Sequence, residues 1–278
     1  MAVSRGRRSS LAALAAVMAV LVAASVATAF AATGVVAATA ETSEGTMVLR
    51  CAFSHFRAAD PIVSPGVYPS AHEHAFYGNE STDESSTYAS MRASATTCRH
   101  SADTAGYWSP SLYRGDGTRV TPLFSFAYYK NLPVNGQATL PFPPNFRMVF
   151  GPSGAFWDCF QTGGHYTTSV PRCDGSGNYL VVRLKSPPCW DGRLDSPDHR
   201  SHVAYPSGSS CPSSHPLKLA TINFFQRYPA GEGGPGYRFS DGAILPHADF
   251  WNTWDQSRYE LLHARCVAGG VNCGQISG

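Results

Sequence analysis

Ten histidines are spread along this chain, and six of them fall in four short segments that also carry carboxylates or tight turns. These are His72-Glu73-His74, Asp198-His199-Arg200-Ser201-His202, His215 before Pro216, and His247-Ala248-Asp249. On a strand, residues two apart project from the same face. His72 and His74 would therefore point together with Glu73 turned away, and His247 and Asp249 would form a second such pair. If the segments converge, one chemistry is a metal centre. His72, His74, His202 and His247 supply imidazole ligands for Zn²⁺ or Cu²⁺, while Asp198 and Asp249 ligate or receive the second ring N–H. An open position on the metal would activate water for hydrolysis or, with copper, permit oxidative chemistry. The other chemistry needs no metal: Asp198, His199, Asp249 and Asp191 divide acid and base roles, as in glycosidic or ester cleavage.

The densest of these segments is the stretch from Cys189 to His202, which holds a cysteine, a tryptophan, carboxylates, arginines and two histidines among Gly, Ser and Pro. No helical or strand period covers Asp191 to Pro197, so the stretch predicts a structured loop. Ionisable groups are almost never buried unless paired or ligating something, which makes this loop a poor core element and a good site element. The run His199 to Tyr205 can continue it as a strand. A serine nucleophile is disfavoured because no Gly-x-Ser-x-Gly elbow occurs. The rival to an enzyme is a non-catalytic, lectin-like module that stacks sugars on Trp108, Tyr113, Trp190 and Trp251, with core packing the plainer role of Trp108. Such a binder has no need of six histidines, and the excess favours an enzyme.

The elements that must position these groups are β-strands. Gly (26) and Pro (20) are abundant and charged residues make up only 14% of the chain, a composition suited to a loop-rich β protein. Short strand-like runs such as Met47–Phe53, Val120–Tyr129 and Tyr179–Leu184 alternate with Gly/Pro turns. The expected fold is mainly β: a single-domain twisted β-sandwich or irregular barrel over residues 47–273, with long loops and one C-terminal helix at 255–266. Arg5, Arg7 and Arg8 precede an apolar run and two Ala-x-Ala sites, so residues 1–40 read as a secretory signal peptide and lead-in, cleaved after Ala31 or Ala40. The mature chain is then extracellular, not inserted in a membrane, and monomeric. A formal charge of +2 without clustered Lys and Arg excludes a nucleic-acid footprint. Eight cysteines in an exported chain imply disulfides. Of 105 possible connectivities, the nearest-neighbour one is expected: 51–98, 159–173, 189–211 and 266–273.

The ordered set Asp-Pro-Ile-Val (60–63), His-x-His (72, 74), Tyr-Trp-x-Pro-x-Leu-Tyr (107–113), Phe-Arg-Met (146–148), Cys-Trp-Asp-Gly (189–192), Asp-His-x-Ser-His (198–202), Cys-Pro-x-x-His-Pro (211–216) and His-Ala-Asp-Phe (247–250) closely resembles the secreted domain-of-unknown-function family numbered 1996, of fungi and actinobacteria. The likeness runs from about residue 50 to 268. It implies a secreted single domain, and the carbohydrate-binding domains attached to some fungal relatives imply a cell-wall polysaccharide partner. It supplies no reaction.

Overall fold

Two strands show most directly why this sequence folds as a sheet. Phe124–Lys130 alternates buried and half-buried side chains along its whole length, and Thr221–Ala230 does so over most of its ten residues, the period expected of a strand with one face on the core. The structure is a computed structural model that describes residues 44–134, 137–161 and 167–278. The leader expected over residues 1–40, and His165, lie outside the described residues.

Ten strands form the main sheet: β1 (Thr46–Arg57), β2 (His74–Gly78), β3 (Gly106–Pro110), β4 (Phe124–Lys130), β5 (Arg147–Phe150), β6 (Phe156–Cys159), β7 (Tyr179–Lys185), β8 (Thr221–Ala230), β9 (Ala248–Trp251) and β10 (Asn272–Gln275). Their order is β5-β9-β3-β2-β1-β4-β8-β7-β6, with antiparallel neighbours throughout, and β10 runs parallel beside the start of β1. The long strand β1 is the hinge of this arrangement. Thr46 to Ala52 pair with β4, whereas Phe53 to Arg57 pair with β2, and the register breaks between Phe53 and Phe56. Such an irregularity bends a strand and increases its twist, so the sheet curls into two limbs whose inner faces meet. Across that meeting Phe224 of β8 stacks on Tyr107 of β3 with centroids 6.0 Å apart, and lies 5.8 Å from Tyr77 of β2. The fold is mainly β, a curled antiparallel sheet of sandwich-like form, as expected.

Strand alternation then sorts the side chains. On the limb made of β2, β3, β9 and β5, Tyr77, Tyr107, Met148 and Phe250 enter the main core, while Phe76, Trp108, Val149 and Trp251 form a second buried layer on the outer side. That outer layer is roofed by Ile62 from the 58–73 loop and by Met91 from a short helix, α1 (Tyr88–Arg92). The expected C-terminal helix is α2 (Gln256–Leu262), started by the Asp255 side chain accepting the Arg258 N–H. It continues as π-helical turns over His263–Ala268.

All four nearest-neighbour disulfides are present: Cys51–Cys98, Cys159–Cys173, Cys189–Cys211 and Cys266–Cys273. The third ties down the base of the 189–202 loop. That loop is irregular as predicted, but the strand expected from His199 to Tyr205 is limited to Val203–Ala204, which pairs with Cys189–Trp190. No described helix is long and apolar enough to cross a membrane.

Candidate metal centre

His74 opens β2 on the outer face of its limb, two residues along from Phe76, and is fully buried. Its Nδ1 lies 2.9 Å from the Ala59 carbonyl oxygen. A carbonyl can only accept, so the proton of the neutral ring sits on Nδ1 and Nε2 carries the lone pair. His72, just ahead of the strand, brings its ring to 4.4 Å from that of His74. His247, just ahead of β9, reaches both, with ring centroids 5.3 Å from His72 and 5.6 Å from His74. One ring nitrogen from each of the three lies within 4.8 Å of the others. His74 Nε2 and His247 Nε2 are 3.4 Å apart. Two nitrogens held at about 2.1 Å by a tetrahedral metal stand roughly 3.4 Å apart, so this spacing is that of a ligand pair.

Beneath the histidines lies Asp249, facing the same way as His247 because the two are i and i+2. Its Oδ2 is 3.5 Å from His247 Nε2, its side chain is wholly buried, and neither carboxylate oxygen has a hydrogen-bond partner among the described residues. Burial, and then the charge of Asp60 beside it, push the Asp249 carboxyl well above the usual carboxylate range. Asp60, His74 and Asp249 also have ligand atoms within 4.8 Å of one another. Burial and the neighbouring imidazoles push His74 well below the ordinary histidine value, and burial followed by the charge of His247 lowers His72. On the outer side, Asp241 Oδ2 stands 3.5 Å from His247 Nδ1. Burial would raise the Asp241 carboxyl, but the His247 imidazole and the Ala243 N–H together hold it below its usual value. His72 Nε2 is buried with no partner among the described residues. Three imidazoles, a buried carboxylate without a hydrogen-bond partner among the described residues and a further carboxylate behind one ring make a donor set that a divalent cation would satisfy.

The group opens on a cleft of about 310 Å³ lined by His72, His247, Asp60, Asp198, His199 and Arg200. The far wall is the end of the 189–202 loop, laid along β5 by hydrogen bonds from Arg147 N to the Leu194 carbonyl and from Val149 N to the His199 carbonyl. His199 adopts φ 56°, the left-handed region that few side-chain-bearing residues enter, and its Nδ1 is 2.9 Å from Asp195 Oδ1. Arg200 is anchored on the Gly151 carbonyl oxygen.

Several expected members are elsewhere. His202 is buried under the loop with Nδ1 on Ser196 Oγ and Nε2 2.7 Å from the Arg147 carbonyl oxygen. Both ring nitrogens are taken, which removes it from the ligand set. Asp198 lies on the cleft wall, but its carboxylate caps the turn, accepting from Ser201 N, Ser196 Oγ and Arg200 N. Those bonds hold it well below the usual range. Asp191 is held by Arg193 through both its backbone and its guanidinium and does not line the cleft. Trp108 (0% exposed) and Trp251 (1%) belong to the roofed outer layer and have no face to offer a sugar. Trp190 and Tyr113 are half-buried, the indole N–H donating to the Arg193 carbonyl and the phenol to Glu73. His55, His100, His215 and His263 lie outside the group; the Nε2 of His215, one of the six histidines of the four segments, meets the Ser201 carbonyl.

Asp60, Asp241 and Arg200 were not singled out from sequence. Asp60 reads as turn chemistry before Pro61, and it does accept the Ile62 and Val63 N–H groups. Its second role depends on contacts nearly the length of the domain away. A family model described as a domain of unknown function, DUF1996, matches residues 60–254. No curated protein and no solved structure matches the chain.

Proposed function

The chain belongs to the DUF1996 family, whose description assigns no activity, and we propose that it is a secreted metal-dependent enzyme acting on extracellular or cell-wall polysaccharide. The observation that carries this is the meeting of His72, His74 and His247 within 4.8 Å, over a buried Asp249 that has no hydrogen-bond partner among the described residues. Zn²⁺ and Cu²⁺ both suit imidazole ligands, with carboxylate completing the set for zinc. When bound by three side chains, such an ion supplies Lewis acidity and an activated water at its open position.

The chain's own residues do the rest. The Ala59 carbonyl fixes the His74 tautomer, and Asp241 stands behind His247 Nδ1 in the position from which a carboxylate orients a ligating ring. Arg200, held by Gly151, presents its remaining N–H groups to substrate oxygens on the cleft wall. His199, aligned by Asp195, is the group placed to take or give a proton across the cleft. Four disulfides suit an oxidising, extracellular setting, and the enzyme acts as a monomer. A lectin-like role through Trp108 and Trp251 finds no support, since both are buried.

Metal content of the purified chain, measured after chelation and reloading, tests the proposal. About one equivalent of Zn or Cu is expected, lost in His74→Ala and His247→Ala, together with chelator-sensitive release of sugar from cell-wall polysaccharide. Equal metal retention by wild type and both variants would sink the reading.

A further inference from the structure

Among the described residues, nothing roofs the outer face of the other limb. Along β4, Phe124, Phe126 and Tyr128 project outward. Phe225 lies beside Phe126 on β8 and Arg183 beside Phe225 on β7. These side chains are all half-buried, and neighbouring Phe160 is 50% exposed. Three arginines lie among the rings. The Arg227 guanidinium is 3.9 Å from the Phe160 centroid and 5.0 Å from that of Phe124, Arg50 is 4.0 Å from Phe124, and Arg183 is 4.3 Å from Phe225. Cation–π contacts of this kind hold a guanidinium flat and leave its N–H edges free. Among the described residues, Arg50 and Arg227 form no ion pair, and Arg183 bonds to Asp158, the one carboxylate within the band. Burial among the rings holds Arg227 below its ordinary value, the expected result of a charge without a counter-ion. Asn223 Oδ1, on the same face as Tyr128 across the ladder, also lacks a hydrogen-bond partner among the described residues.

We propose that this face is a second binding site, distinct from the metal centre, for a linear polysaccharide bearing carboxylates, a polyuronate. Phe126, with the Arg227 guanidinium 5.8 Å from its centroid, and Tyr128 give the apolar faces of pyranoses something to lie on, and the unpaired edges of Arg50 and Arg227 match carboxylates in a two-pronged geometry. The strand spacings set these groups at regular intervals along and across the sheet, which suits a repeating ligand. Single-stranded nucleic acid is also anionic and stacks on aromatics. Here the rings lean on one another at 41° (Tyr128–Phe225), 58° (Phe126–Tyr128) and 79° (Phe124–Phe126). Those tilts leave single ring faces, which serve a base and a pyranose alike. The polyuronate is preferred because it rests on the proposed action of this chain on extracellular polysaccharide, and the oligodeoxythymidylate arm below separates the two.

Titration calorimetry of the full, disulfide-bonded chain with a polygalacturonate decamer tests this. Binding is expected, weakening with salt, and at least tenfold weaker in Arg50→Gln/Arg227→Gln and in Phe126→Ala. Circular dichroism and metal content should match wild type in those variants. His74→Ala should bind the decamer as wild type does, so the two sites fail or stand separately. No binding of the decamer, equal binding of a neutral glucan decamer, tighter binding of oligodeoxythymidylate, or undiminished binding by folded variants would each overturn the proposal.

Discussion

The two outer faces of one sheet have been treated in opposite ways. On the β2–β3–β9–β5 limb, the 58–73 loop and α1 cover the outer side chains, so Phe76, Trp108 and Trp251 are as buried as any core residue. The polar groups roofed with them, His74 and Asp249, lose water and have few partners. On the β4–β8–β7 limb the same alternation delivers aromatic and basic side chains to a surface that no described loop or helix covers. Burial perturbs titration and gathers ligating groups in the first case, and leaves rings and charges available in the second. The comparison teaches that a strand's outward residues acquire their meaning from what the loops do over them.

The largest expected effect lies at the seam between the limbs. Tyr107 of β3 and Tyr129 of β4 share a 2.6 Å hydrogen bond, and Tyr107 also donates to Asp103, whose carboxyl is fully buried. Burial, opposed only in part by hydrogen bonds from Ala105 N and Tyr107, raises Asp103 from 3.8 to about 8. The folded state therefore binds a proton that the unfolded chain has released over this range. Its contribution to stability is fully present below pH 3.8 and is lost as pH rises to about 8. A shift of this size corresponds to roughly 6 kcal/mol as a ceiling. Denaturant unfolding of wild type and Asp103→Asn at a series of pH values should show the variant gaining on wild type between pH 4 and 8. Parallel curves would mean that the seam does not hold this proton.

Next in size is the roofed face itself. Trp108→Ala removes a fully buried indole from beneath Ile62 and Met91, and should cost about 4 kcal/mol in unfolding free energy. A cost near that of a surface substitution would mean that the roof is not packed on it. The Cys189–Cys211 bridge follows. It closes a loop of 22 residues that carries the cleft wall, and replacing both cysteines by serine should cost about 3 kcal/mol by chain entropy. Thermal unfolding of the double variant checks this, and an unchanged midpoint would show that the loop is held by its hydrogen bonds alone.

Local spacing made parts of this arrangement legible in advance. The i, i+2 pairs at 72/74 and 247/249 reported a shared face, and in a chain with an even cysteine count the nearest-neighbour pairing was the right one throughout. What could not be read was coverage. Strand alternation places Trp108 and Trp251 on an outer face, where they look like stacking residues, and no periodicity in residues 58–92 says that this segment folds back over them. His202 has the same spacing from Asp198 as a cleft residue would have. Its two ring nitrogens are nonetheless taken by Ser196 and by a carbonyl of β5, and the carbonyl is a contact across 55 residues. Asp60 and Asp241 were invisible for the same reason, since only the closed fold brings them to the histidines.

The smallest effect sharpens the contrast most directly. Phe126 sits on the bare face opposite Phe225 in the ladder, and its ring packs against Phe124 and Tyr128 with centroids 5.2 and 5.8 Å away. Phe126→Ala removes partly exposed area, and water fills the space, so no sealed cavity is left behind. The transfer contribution alone remains, and for a half-buried ring it is about 1 kcal/mol. Trp108→Ala, on an equally outward position of the other limb, carries the cavity contribution as well. Measured side by side in urea, the two substitutions should differ by roughly 3 kcal/mol, the difference between transfer alone and transfer with a cavity. If Phe126→Ala costs as much as Trp108→Ala, the β4–β8–β7 face is covered too, and both the contrast and the second binding site fall with it.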